Sequence, residues 1–68
     1  MEEWTTETTP KRLREILGAI RKTQVQLARV IGVTDVTVSR WVNGRNTPDP
    51  RSRKFLERIE ERYVKKGH

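Results

Sequence analysis

Between residues 23 and 44, two helix starts and two helix stops follow one another at intervals that leave the backbone little choice. Thr23 precedes Gln26 by three positions, the spacing of a capping box, so a helix opens at Gln24. Leu27, Ala28 and Ile31 form its inner face. Gly32 follows, the residue that most cheaply takes the left-handed turn beyond a helix. Val33 plugs that turn and Thr34 caps a second helix over about 35–43, with Asp35 in the first turn where the helix dipole favours an acid. Val38, Trp41 and Val42 point inward, and Gly44 ends the unit. The stretch therefore predicts two short helices joined by a tight turn, with the rest of the chain serving to hold their angle.

With 68 residues, 32% of them hydrophobic, the chain can make one domain with a small core. It has no cysteine and its only histidine is His68, which leaves no disulfide framework, no multi-histidine metal site and no cofactor to expect. No nucleophile–base pair and no glycine loop able to cradle phosphate appears either, which argues against an enzyme. No apolar run approaches the roughly 20 residues that cross a membrane. The acids of the opening Met-Glu-Glu-Trp stand where a signal peptide carries bases. The expectation is a cytoplasmic protein, associated with the nucleoid when bound.

Residues 1–9 are polar and rich in threonine, and read as an irregular arm. Its Trp4 either folds back over apolar surface or meets a partner or DNA. Residues 10–66 form the domain. Thr9 caps a first helix with Pro10 at its first position. Leu13, Ile16, Leu17 and Ile20 make an amphipathic stripe, with Lys11, Arg12, Arg14 and Arg21 off it. Gly18 marks a place for close packing. The helix ends near Arg21. Residues 45–50 form a loop with two prolines, and a last helix covers about 51–65, or starts with Pro50 at its first position, with the stripe Phe55, Leu56, Ile59 and Tyr63. No strand signal or repeat is present. The fold class is all-α, a small domain of four helices, with five as the alternative.

The formal net charge is +6, unevenly spread. Residues 1–9 hold Glu2, Glu3 and Glu7 and no base, whereas residues 10–54 hold eleven Lys and Arg against Glu15, Asp35 and Asp49. A basic excess placed on and around two short helices attracts polyanions. The outer face of the second of those helices carries Asp35, Val36, Thr37, Ser39 and Arg40, with Asn43 at its end. Small polar groups can meet bases or phosphates, valine can touch a thymine methyl, and arginine can pair bidentately with guanine. Asp35 either accepts from cytosine N4 or acts as a cap. Gln24 lies at a helix start, a favourable phosphate position. Arg45 and Asn46 follow the second helix and could clamp another phosphate, with Lys22 and Arg29 adding long-range attraction.

These residues carry a resemblance. Thr23-Gln24, Leu27-Ala28, Gly32-Val33, Thr37-Val38-Ser39-Arg40-Trp41, Asn43-Gly44 and Pro48 resemble the phage-repressor-like helix-turn-helix family, also called the XRE or lambda-repressor-like family, over about residues 10–50. The resemblance implies a lambda-repressor-like fold with Ala28 at the helix crossing. It implies base contacts from Thr34, Asp35, Val36, Thr37 and Arg40, and phosphate contacts from Thr23, Gln24, Asn43, Arg45 and Asn46. Val42 stands where relatives often carry glutamate, and a single charged helix replaces the family's usual two after the motif. The function implied is a sequence-specific regulator on double-stranded DNA, a repressor of phage or mobile-element type read through the major groove, as a homodimer formed through the helix at 51–65. Two other readings stand beside it. One is an architectural, excision or segregation factor of mobile DNA, and the other an antitoxin-like protein-interaction module.

Overall fold

The computed structural model describes residues 3–65. Among them are four α-helices and no strand: α1 Thr8–Ile20, α2 Gln24–Ile31, α3 Asp35–Val42 and α4 Pro50–Ile59, the last continued by a π-helical turn, Glu60–Val64. The fold is a small all-α arrangement. α3 packs on both α2 and α1, and the π-helical turn packs back onto α1. Leu13, Ile16, Leu27, Val38 and Leu56 are completely buried at the centre, with Trp4, Ala28, Ile31 and Trp41 closing round them.

The first three helices end alike, each on a residue in the left-handed region. At α2 this is Gly32 (φ 90°), after which the Val33 N–H donates to the Ala28 carbonyl at 2.9 Å. At α3 it is Gly44 (φ 73°), with Arg45 N–H donating to the Arg40 carbonyl at 2.9 Å and Gly44 N–H to the Trp41 carbonyl at 3.1 Å. This double bond pattern satisfies carbonyls that the helix itself leaves open. A Cβ at Gly44 would also stand 2.9 Å from the Thr6 carbonyl oxygen, so two requirements fall on one residue. Thr6 is the carbonyl that Pro10, lacking an N–H, cannot bond. α1 ends instead on Arg21 (φ 55°), a side chain where glycine would be less strained.

The start of α1 differs from the sequence expectation. Thr5 and Thr8 cap reciprocally: Thr8 N–H donates to Thr5 Oγ1 at 3.0 Å and Thr5 N–H to Thr8 Oγ1 at 2.9 Å. The arm is thus drawn into the helix start, and Thr9, expected as the cap, is buried within α1 with its hydroxyl lacking a hydrogen-bond partner among the described residues. Gly18 differs too. It is exposed with open space where a Cβ would lie, so it serves no close contact.

The largest departure is Arg12, which the 3.6-residue stripe leaves outside and the structure buries. Its guanidinium forms a two-pronged ion pair with Glu60, Nε to Oε2 at 2.8 Å and Nη2 to Oε1 at 2.6 Å. It also lies over the Trp4 ring, 3.7 Å from the centroid. Trp4 Nε1 in turn donates to Glu57 Oε2 at 3.0 Å. Trp4 therefore folds back, and one cation ties the arm, α1 and the end of α4 together. A buried charge is tolerated only with such pairing.

α4 begins at Pro50, the earlier of the two starts the sequence offers, because Asp49 caps it by accepting from the Ser52 N–H at 3.5 Å. The Ser52 side-chain hydrogen bond, with backbone N–H groups adding and desolvation opposing, holds the Asp49 carboxyl below its usual value. The buried face of the last helical segment is Ser52, Leu56 and Glu60 with half-buried Ile59. Phe55 and Tyr63, expected in the stripe, stand at its edge and are 36% and 55% exposed. The wider π turn explains part of this, since it changes the angular step per residue after Ile59.

Candidate nucleic-acid interface

The capping box expected at α2 is present. Gln26 N–H donates to Thr23 Oγ1 at 3.2 Å, and Thr23 N–H donates to Gln26 Oε1 at 2.9 Å. At α3, Thr37 N–H donates to Thr34 Oγ1 at 3.2 Å, and the two hydroxyls share a further hydrogen bond of 2.9 Å. The cap of α3 is thus Thr34. Asp35 does not cap; it occupies the first helical position, exposed. The reason is geometric, since a capping side chain must come from the extended residue just before the helix, and Thr34 has that backbone (φ −84°, ψ 158°).

The two caps and the Gly32 turn bring the outer face of α3 beside the start of α2. Gln24, Asp35, Val36, Arg40, Asn43 and Arg45 line one shallow, open cleft. Val25 and Ser39 complete it. Ser39 belongs to the outer face recognised in the sequence. Val25 is an exposed apolar residue on α2 that sequence reasoning passed over, although its position directly after Gln24 was the available signal. Thr23, Thr34, Thr37 and Asn46 lie outside the cleft lining. Thr34 and Thr37 hold each other, so a base would compete with an existing cap for their hydroxyls.

Val36 and Arg40, one turn apart on α3, stand exposed with Asp35, one apolar and one cationic beside the acid. Arg40 has no side-chain partner among the described residues, so its guanidinium is available to a ligand. Asn43 is different. Its Nδ2 donates to the Ser39 carbonyl at 2.9 Å and to Ser39 Oγ at 3.3 Å. What it presents outward is a carbonyl oxygen, an acceptor that a phosphate cannot use. Behind this surface Val38 and Trp41 are buried, so α3 is fixed by its inner face while its outer face stays open. Ala28 is 2% exposed and belongs to the core cluster.

Among the described residues no group of His, Cys, Asp or Glu could hold a metal ion, and no helix is long and apolar enough to cross a membrane. A family model described as helix-turn-helix matches residues 11–61. No curated protein and no solved structure matches the chain.

Proposed function

The chain belongs to the XRE-type, lambda-repressor-like helix-turn-helix family of DNA-binding regulatory domains, and on that footing we propose that it is a sequence-specific repressor of the phage or mobile-element kind, acting by occupying an operator. The observation that carries this reading is the cleft in which Val36 and Arg40 on α3 stand exposed beside Gln24 at the start of α2. α3 enters the major groove of double-stranded DNA. Arg40 pairs with a guanine edge and Val36 meets a thymine methyl, each the chemistry its side chain offers. Asp35 accepts from cytosine N4, and Thr34 and Thr37 offer hydroxyls where the first turn of α3 approaches the bases.

Phosphates are held on both sides of the groove. Thr23 and Gln24 present the start of α2, whose open N–H groups and dipole favour an anion. Arg45 and Asn46 reach the backbone beyond α3. Asn43 supports them from the helix end, with its amide hydrogens on Ser39. These contacts orient the domain without reading sequence. Each copy covers one half-site, and two copies occupy half-sites about one helical turn apart.

Selection of binding sites from random duplexes, run on the native chain and on Arg40→Ala, tests the reading. The native chain yields one motif or an inverted repeat. Arg40→Ala loses preference at one position of the half-site, a discrimination of roughly 1–3 kcal/mol. Equal weakening on every sequence would place Arg40 on a phosphate and sink its reading role.

A further inference from the structure

A second surface lies apart from the DNA cleft and shares no lining residue with it. It is a groove between the end of α1, α2 and the outer side of α4. Half-buried Ile20 and Ile59 form its floor, and Val30, Phe55 and Tyr63 stand 51%, 36% and 55% exposed along it. Four cations, Arg21, Lys22, Arg58 and Arg62, line it as well, beside Ala19, and no acid does. None of the four forms an ion pair or a side-chain hydrogen bond among the described residues. Arg21 adds an independent sign. It holds the left-handed position that ends α1, where α2 and α3 use glycine. A side chain kept at a position glycine fills with less strain points to a use for that side chain.

We infer that this groove docks an acidic, amphipathic helix of a partner protein, going beyond the DNA-binding reading. The apolar floor and walls accept the partner's hydrophobic ridge, in the manner of a helix laid into a groove. The four cations meet carboxylates on the ridge's flanks. A second copy of this chain fits badly, because face-to-face pairing would set four cations against four. DNA fits less well, because phosphates on the four cations would leave the apolar Val30, Phe55 and Ile59 uncovered. A partner held here leaves the α3 cleft free, so it can ride on the DNA-bound domain.

The probe is a synthetic helical peptide with Leu and Trp at i, i+3, i+4 and i+7 and Glu on both flanks, together with a twin carrying Lys for every Glu. Each is titrated into the 68-residue chain, free and saturated with its selected duplex, and followed by backbone amide NMR. The acidic peptide is expected to shift residues around Ile20, Val30, Phe55 and Tyr63 in both states, while the Lys twin does not. Phe55→Ser weakens the acidic peptide about tenfold or more, as loss of an aromatic anchor does. Arg21→Gly, which relaxes the backbone and so keeps the fold, also weakens it, and the affinity falls with added salt. Three results would overturn the inference: no shifts in the groove, equal binding of the Lys twin, or peptide displaced by duplex. A dimer of the native chain that Phe55→Ser converts to monomer would likewise overturn it and assign the groove to a second copy.

Discussion

Arg12 and Glu60 offer the sharpest thermodynamic test of how this small domain is held together. Their side chains are 9% and 5% exposed and meet through two hydrogen bonds of 2.8 and 2.6 Å. Replacing Glu60 by Leu removes both of these hydrogen bonds from a buried guanidinium, and breaking such a pair costs about 3–5 kcal/mol. A chain of this length has a total stability of roughly 3–10 kcal/mol. The single change should therefore remove much of it, lowering Tm by at least about 12 °C at the usual 4–8 °C per kcal/mol for a domain of this size. Arg12→Met alone strands the Glu60 carboxylate and loses the contact over Trp4, a comparable loss. Combining the two changes fills the site with apolar volume against the Trp4 ring, and stability should return to within about 1–2 kcal/mol of the native chain. Thermal and urea unfolding of the four proteins, followed by circular dichroism, closes the cycle. Additive losses would refute the reasoning, because they would mean that the two charges act independently.

Gly18→Ala should raise stability by about 1 kcal/mol, because the position is helical, exposed and open where the new Cβ would sit; an unchanged Tm would contradict this. Ala28→Leu should lower stability by about 1–3 kcal/mol in urea unfolding, since a fully packed position has no room for the added carbons. Asp49 has a carboxyl pKa lowered in the folded state, so its contribution is present above the unfolded value and is lost as pH falls through the folded one. Asp49→Asn, which keeps a capping oxygen, should therefore flatten the stability profile below about pH 4 and leave it little changed at neutral pH.

The motif from Thr23 to Gly44 was legible because each of its boundaries has a local cause. Caps, left-handed glycines and the inward residues Leu27, Ala28, Ile31, Val38 and Trp41 need no knowledge of distant parts of the chain. Most of the cleft follows from them, since Gln24, Asp35, Val36, Arg40, Asn43 and Arg45 are placed by the same two helices. Most of what escaped depends on contacts distant in sequence. Arg12 reads as a surface base until Glu60, 48 positions away, and Trp4 are known to meet it. Phe55 reads as a core residue until Ser52 and Leu56 take the inward positions of α4, and Tyr63 does so until the π turn and Glu60 re-aim the chain after Ile59. Thr9 reads as a cap because it precedes Pro10, but Thr5 and Thr8 cap first. Local rules recover elements that begin and end by themselves, and lose those whose buried face is chosen by another part of the chain.

Titration of the isotopically labelled chain with its selected duplex tests the proposed interface most directly. The largest amide shifts should fall on Gln24, Val25, Val36, Ser39, Arg40 and Arg45, the residues of the α2–α3 cleft and the loop beyond it. Shifts concentrated instead at Ile20, Val30, Phe55 and Tyr63, with the α3 signals unmoved, would contradict it.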